Sequence, residues 1–482
     1  MLNFRPILFI LGLLLTTLAL AMSLPALVDA ATGHADWQVF LASAGLTLFI
    51  GVSLIITSRG GQMTIGIREA FILTIWSWLG VTLFASLPFV FAELNLSFSD
   101  AFFEAMSGIT TTGATVILNL DDAPPGILLW RALLQWLGGI GIIVTAVAVL
   151  PMLKVGGMQL FRMESSDTTE KVLPRAGQIS TAIGAIYFVL TLVCAISYWI
   201  AGMPGFDAIA HAMTTIATGG FSTSDQSMAA FAKPSVEWIA IVFMIIGSLP
   251  FVLYLQAVRG RPLSLIRDSQ VRWFLVLALI IVSIVVLTVY STQDLSSGQS
   301  LRLSAFNTIS ILTGTGYSTA AFDSWGPLAI TIFFIIMFIG GCAGSTTCGI
   351  KIFRIQILYE TAATQIRRLV QPHGIFIPYY NRSPISDEVA MSVMSFFFFY
   401  VLVFIILALG LSALGLDFLT AVSGAATSIS NVGPGLGPII GPNGTFTTLP
   451  DAAKWLLSLG MLLGRLELFT ILVLFAPSFW KP

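Results

Sequence analysis

The chain has 482 residues, of which 56% are hydrophobic and only 9% charged, with a mean hydropathy of +0.94. Soluble domains carry about 25% charged residues, so a deficit of this size excludes one and points to hydrocarbon as the solvent and a helical membrane protein as the class. The net charge of −1 hides a strong asymmetry in placement, and the three cysteines, Cys194, Cys342 and Cys348, sit among apolar or small residues without disulfide or metal-ligand spacing, as packing residues do.

The first element has the outline of a secretory signal: Arg5, an apolar run to Leu27, then Ala30 and Ala31. Its run is longer than the roughly 7–15 residues of a signal core, so it reads as a retained first helix. Crossing a bilayer takes about 20 apolar residues. Stretches of spanning character fall near 5–28, 37–57, 68–92, 127–153, 180–202, 235–258, 271–292, 326–341, 388–411 and 451–474. The stretch at 326–341 is short, runs into Gly340 and Gly341, and resumes at Ile350, so 326–360 reads as one span interrupted in its middle. The fold class this predicts is an all-α polytopic membrane protein with ten transmembrane helices and both termini on one side.

Lys and Arg set the orientation. Of the 22, Lys233, Arg302 and Lys454 fall in connections on one side, Arg131 and Arg465 lie inside spans, and the other 17 stand on the opposite side, which is therefore cytoplasmic. Fourteen of the 23 acids, among them Glu93, Asp100, Glu104, Asp207, Asp225, Asp323 and Asp417, lie on the outer side. An acidic outer vestibule would concentrate cations and repel anions.

Four outer connections are too apolar at their start to be loops, and they align without gaps: Asp100–Gly113, Asp207–Gly220, Leu303–Gly316 and Thr420–Gly433. Small residues recur at Ala101, Ala208, Ser304 and Ala421, and hydroxyls at Ser107, Thr214, Ser310 and Thr427. An aliphatic recurs at Ile109, Ile216, Leu312 and Ile429, and each copy closes on glycine, at intervals of 107, 96 and 117 residues. Self-similarity of this kind dictates architecture. It divides the chain into two N-terminal helices (1–66) and four pseudo-repeats of span, short helix, glycine turn and span, at 67–178, 179–270, 271–386 and 387–482. A helix of about ten residues cannot cross the bilayer core, and irregular backbone at that depth is tolerated only within protein or along a watery cavity. Four such loops converging on one axis offer rings of backbone carbonyls to a dehydrated cation, and aim four helix C-termini at it. Four glycines in register, each between two spans, are more than ordinary helix caps require. The sequence thus predicts a cation-conducting pore.

Gly340 to Lys351, GGCAGSTTCGIK, lies in the inner span of the third repeat. Its small and hydroxyl residues weaken a helix and suit an intramembrane loop; a small-residue face for tight helix packing is the competing reading. The string fails the phosphate-loop pattern because Ile350 separates Gly349 from Lys351. Arg465, within the last span, either lines a cavity, pairs with an acid such as Glu467, or snorkels to the inner surface. His211 occupies the slot held by Glu104, Asn307 and Gly424 in the other copies, behind the aligned glycines, where a hydrogen-bonding strut is expected. An integral-membrane enzyme would need clustered His, acids or Cys within the spans, and the sequence has no such cluster.

The fourfold plan with one glycine per copy resembles the Trk/Ktr/HKT superfamily of K+ transporters over essentially the whole chain, and most closely its bacterial TrkH subunits, which share the two extra N-terminal spans. The resemblance implies a K+ selectivity filter at Thr111, Thr112, Gly113 and Ala114; at Thr218, Gly219, Gly220 and Phe221; at Gly314, Thr315, Gly316 and Tyr317; and at Asn431, Val432, Gly433 and Pro434. K+ would be held at Thr111, Thr112, Thr218, Gly219, Thr315, Gly316, Asn431 and Val432. In the superfamily a serine in place of the first glycine goes with Na+ transport, so Gly113 argues for K+. The resemblance further implies a gate below the filter formed by Gly340, Gly341, Gly344, Ser345, Thr346, Thr347, Cys348 and Gly349 with Arg465. It implies passive K+ uptake across the bacterial inner membrane, with both termini cytoplasmic. A homodimer, a cytosolic ring-forming nucleotide-binding regulatory subunit like TrkA, and surrounding lipid would be the partners, with no nucleic acid and no organic cofactor. Basic stretches near 154–175, 259–272 and 351–382 could dock that subunit or anionic lipid, or be simple orientation charges. A symporter coupling K+ to H+ or Na+ is the alternative, and would need a titratable site at mid-membrane.

Overall fold

The computed structural model describes residues 2–60, 66–145, 172–231, 233–381 and 383–481. Among these, seven helices are long and apolar enough to cross a membrane: Phe4–Thr32, Trp37–Ser58, Ile67–Phe91, Pro125–Val144, Gln178–Ile200, Ser269–Thr292 and Asp387–Ala413. Two further pairs pass the same test but are sharply bent, Pro234–Gly247 with Phe251–Val258 at 92° and Asp451–Arg465 with Phe469–Phe475 at 105°, giving up to nine spans. The remaining expected stretch, 326–360, is a helix of 11 residues (Pro327–Met337), an irregular segment, and a helix of 19 residues (Ile352–Val370). The last part of the 127–153 stretch (146–153), the 154–171 connection and Arg382 lie outside the described residues.

Both bends have local causes. Pro250 cannot continue the first helix and pushes Leu249 out of the helical region, so the chain restarts at Phe251. The second bend falls at Glu467 and Leu468, both in the left-handed region with φ of 62° and 47°. Continuous spans were expected at 235–258 and 451–474; the breaks turn both chains back toward the segment 338–351.

Four short helices, Phe98–Ile109, Gly205–Ile216, Ser297–Leu312 and Phe418–Ser430, match the four aligned stretches. Three begin on side-chain caps. Ser97 Oγ accepts from Asp100 N–H, Ser296 forms a reciprocal box with Gln299, and Asp417 accepts from Thr420 N–H. The neighbouring Thr420, whose N–H donates to it, holds the Asp417 carboxyl below the usual carboxylate range, which suits an anion at a helix N-terminus. Lys454 reaches Asp100 at 2.5 Å and ties the fourth repeat to the first.

Two apolar clusters organise the body. One joins the N-terminal helices to the first and fourth repeats; the other joins the second and third. The ends of the short helices draw on both: Ile109, Ala114 and Ile429 belong to the first cluster, and Ile216, Leu312 and Val432 to the second. The four loop ends therefore meet where the two halves of the molecule face one another.

Candidate functional site

Each short helix ends in the same turn. The residue two before the aligned glycine takes a left-handed conformation: Thr111, Thr218, Gly314 and Asn431, with φ of 55°, 49°, 67° and 53°. Its N–H donates three residues back, to Gly108, Thr215, Ile311 and Ser428 O at 3.0–3.3 Å. The next residue donates five back, to the carbonyl of the recurrent hydroxyl residue: Thr112 to Ser107, Gly219 to Thr214, Thr315 to Ser310 and Val432 to Thr427, at 2.8–3.1 Å. This pair of bonds is the Schellman cap. The cap is thus two residues before the aligned glycine, so those glycines are not helix caps. They carry a second left-handed turn, with φ of 88°, 77°, 82° and 110°. Left-handed backbone is costly for β-branched Thr111 and Thr218. Gly314 and Asn431, which tolerate it, were the signal for this position in the sequence.

The four turns close into a ring. A Cβ on Gly113 would overlap the carbonyl oxygen of Gly219; on Gly220, that of Thr315; and on Gly316, that of Val432. On Gly433 it would lie 2.8 Å from Thr112 O. Each aligned glycine thus abuts the carbonyl just before the glycine of the next loop, in the cyclic order one, two, three, four, one. The third-loop residues equivalent to Thr111–Thr112 are Gly314 and Thr315, whereas Gly316 aligns with Gly113. All four glycines line a cavity of about 270 Å3. A ring of closely spaced carbonyls beside a polar cavity can replace part of a cation's water shell.

The acidic vestibule takes a different form from the one expected. Of the fourteen outer acids, Asp225 is the one that lines this cavity among the described residues. Glu104, Glu237, Asp29 and Asp36 are buried. The rest of the polar lining is backbone, Asn, hydroxyl and the Arg131 side chain.

Behind the ring, the slot shared by Glu104, His211 and Asn307 holds the outgoing strand of each loop. Glu104 accepts from Thr115 Oγ1 and Val116 N–H at 3.0 and 2.9 Å. His211 Nδ1 donates to Asp207 O at 2.8 Å, which leaves Nε2 to accept from Ser222 Oγ at 3.0 Å. Asn307 bonds Thr319 through both ends of its amide. In the fourth copy the slot is Gly424, and Ser423 takes over by bonding Leu436. The strut expected at His211 is present. What sequence reasoning missed is the partner of Glu104: Arg131 Nε reaches it at 2.8 Å. Arg131 Nη1 donates to Ser222 O at 2.7 Å, and the guanidinium lies 4.1 Å over the Phe221 ring. Tyr317 spans the second and third loops through Thr214 Oγ1 at 2.5 Å, and Asn431 Nδ2 spans the fourth and first through Thr112 Oγ1 at 2.9 Å.

The segment 338–351 is an irregular loop rather than a continuous packing helix. Gly340 N–H donates to Ile350 O and Ile350 N–H to Phe338 O, both at 2.9 Å, so the loop closes on itself. It is sewn to the break in the second repeat: Cys342 N–H to Ser248 O, Thr346 N–H to Gly247 O, and Phe251 N–H to Gly344 O. Thr346 Oγ1 bonds Gly247 O and Ile216 O and accepts from Thr218 Oγ1 at 3.1 Å, directly linking this loop to the second turn of the ring. Arg465 is 1% exposed and donates to Thr346 O, Cys348 Sγ and Gly138 O at 3.1, 2.7 and 2.9 Å. It neither snorkels nor pairs with Glu467, whose partner is Arg354. Cys348 is therefore an acceptor as well as a packing residue. Lys351 and Arg354 are buried too, Lys351 on the carbonyl of Thr347 and Arg354 over the Phe396 ring, so neither belongs to a cytoplasmic docking surface. Ser345, Thr347, Cys348, Lys351, Arg465 and Glu467 enclose a cavity of about 20 Å3, room for about one water.

A family model described as TrkH: Cation transport protein matches residues 37–481. The chain is 46% identical to the Trk system potassium uptake protein TrkI of Halomonas elongata, over 99% of this chain and 97% of that one. It is 38% identical to the Trk system potassium uptake protein TrkH of Escherichia coli, over 99% of this chain and all of that one. The crystal structure of the potassium transporter TrkH from Vibrio parahaemolyticus matches it with a TM-score of 0.92 at 37% identity, covering both chains completely.

The buried Arg131–Glu104 pair makes a stability prediction. Glu104→Ala strands a desolvated guanidinium and should cost about 3–5 kcal/mol. The double replacement Glu104→Leu with Arg131→Met should recover most of that loss, as read from thermal unfolding in detergent; equal losses in single and double variants would show that the pair is not the source.

Proposed function

We infer the function of this chain from its family and its site together: it belongs to the TrkH family of cation transport proteins, a multi-pass membrane family whose relatives here are named as potassium uptake proteins. The substrate is K+ and the activity is its uptake. We propose that the ions pass through the ring of loop ends, at the carbonyls of Thr111, Thr112, Thr218, Gly219, Gly314, Thr315, Asn431 and Val432, with Gly113, Gly220, Gly316 and Gly433 allowing the close approach. The single observation that carries this is the cyclic contact of each aligned glycine with the next loop's carbonyl. In this reading the molecule has ten spans, 326–360 counted as one, and each short helix is a pore helix entering from the outside. Lys and Arg placement orients it with both termini in the cytoplasm, in the bacterial inner membrane.

Transport is passive conduction down the membrane potential, which supplies about 2.3 kcal/mol per charge per 100 mV. The loop 340–349, with Arg465, is the gate. Its support is the belt of hydrogen bonds that carries it directly beneath Thr218, and a buried cation in the path of a cation. A symporter coupling K+ to H+ or Na+ would need a free titratable group in this region, and Glu467 is engaged by Arg354. The relatives' names place them in a Trk system, and a homodimer with a cytosolic nucleotide-binding subunit like TrkA is the assembly we propose. The regulatory subunit would meet the exposed basic residues of 259–272 and the end of Ile352–Val370, such as Arg367 and Arg368.

Gly113→Ser places a Cβ on the Gly219 carbonyl at a positive φ, and should lower the K+ over Na+ permeability ratio measured by bi-ionic reversal potentials in planar bilayers. An unchanged ratio would sink the filter assignment. Deleting 344–348, or replacing Arg465 by Ala, should raise K+ flux into liposomes; a folded variant with equal or lower flux would refute the gate.

A further inference from the structure

We propose that Gln135 is a positioning residue of the ring: its carboxamide stands in for the side chain that Gly219 lacks, and it fixes the direction of the Gly219 carbonyl.

Three of the four residues just before the aligned glycine carry a side chain that packs its own turn, Thr112, Thr315 and Val432. The Thr112 and Thr315 hydroxyls bond Thr110 and Thr313 Oγ1 at 2.7 and 2.8 Å. Gly219 has nothing to offer at this place. Gln135 fills it from outside the loop. It stands one helical turn beyond Arg131 on Pro125–Val144 and is fully buried. Its Nε2 donates to Gly219 O at 2.6 Å, and its Oε1 accepts from Phe221 N–H at 3.0 Å. The amide therefore grips the backbone on both sides of Gly220, as a neighbouring strand would. A Cβ on Gly219 would overlap the same carboxamide. Glycine at 219 and glutamine at 135 are thus two halves of one solution: the loop gives up a side chain, and the adjoining helix returns it with a donor and an acceptor.

The consequence is electrostatic. Gly219 O is the oxygen that abuts Gly113, the glycine on which the K+ reading rests. Among the described residues, no hydrogen bond reaches the matching oxygens of Thr112, Thr315 and Val432. An oxygen that accepts an N–H has one lone pair engaged and its direction set. It cannot follow a smaller ion inward, and it offers that ion a weaker field than a free carbonyl does. Both effects disfavour Na+ relative to K+ in a ring whose selectivity depends on ligand position and field strength. The inference rests on the proposed filter reading.

The test uses the full-length protein reconstituted in bilayers and liposomes. Gln135→Leu keeps bulk but removes donor and acceptor. It should lower the K+ over Na+ permeability ratio by roughly three- to tenfold, which is what about 1 kcal/mol of lost carbonyl positioning amounts to. Gly219→Ser alone should abolish K+ flux by clashing with Gln135. Combining it with Gln135→Ala vacates the space and should restore flux. An unchanged ratio in a monodisperse Gln135→Leu protein overturns the proposal, and so does a Gly219→Ser protein that conducts normally with Gln135 in place. If Gln135→Leu does not fold, the Gln135→Ala/Gly219→Ser pair decides, and its failure to recover flux counts against the stand-in. Gly113→Ser, run in parallel, separates the two levels: a ratio moved by Gly113→Ser but not by Gln135→Leu refutes only the role of Gln135, whereas a ratio moved by neither refutes the filter itself.

Discussion

A helix that stops inside an apolar body leaves its last carbonyls without partners, and an unmet polar group in hydrocarbon costs several kcal/mol. The molecule faces this constraint four times, at Ile109, Ile216, Leu312 and Ser430. Its answer is the same each time. A left-handed residue turns the chain back over the helix end, and two N–H groups satisfy two of the orphaned carbonyls. The turn then leads to a second left-handed residue, the aligned glycine, whose missing Cβ lets the next loop's carbonyl come close. The carbonyls of Thr112, Thr315 and Val432 accept no hydrogen bond among the described residues, and in the function proposed above they are ligands for the ion. In that reading capping and ion binding are one device: the backbone that must be bent to end the helix is the backbone that would face the ion.

Four copies of one device do not make four identical loops. Repeats related by descent on a single chain are free to diverge, and here each loop is braced by a different neighbour. The first leans on Glu104 and Arg131, the second on His211, Tyr317 and Gln135, the third on Asn307 and Ser310, and the fourth on Ser423 and Thr427. The braces also cross between loops, so the position of each carbonyl depends on side chains from another repeat. Arg131 is a cation at the wall of the cavity beside the ring, and Glu104 offsets it. In the proposed function the attraction for ions would therefore come from backbone carbonyls and helix ends rather than from net negative charge at the mouth.

The loop beneath the ring obeys the same accounting with a different outcome. Gly340 to Gly349 is too rich in small residues to hold a helix, and its backbone needs partners it cannot supply itself. The break at Gly247–Phe251 supplies three of them and Arg465 another. Two irregularities in different repeats satisfy each other, so neither is a defect. A segment held by hydrogen bonds to a bend and to one long side chain, rather than by apolar packing along a helix, can be released by breaking a few contacts. That is the physical property a gate needs.

This division also explains how much was legible in the sequence. The repeat, the four short helices, the aligned glycines and the interruption at 340–349 were readable because each is a local pattern that the bilayer leaves few ways to satisfy. The left-handed position two residues earlier was half-legible, through Gly314 and Asn431, and masked where Thr111 and Thr218 accept strain instead. The bends at 247–250 and 467–468 were hidden because apolar composition carries on through them. Least legible were the pairings. Composition could say that Arg131 and Arg465, inside spans, needed partners, but it placed Arg354 at the cytoplasmic surface, and the acid nearest in sequence to Arg465, Glu467, belongs to Arg354, 113 residues away. Arg465 turns instead to backbone and a thiol, acceptors with no charge and so no signature. A buried cation bound to neutral acceptors keeps its full field, and on the proposed path of K+ that field would be a barrier which moves only when the loop holding it moves.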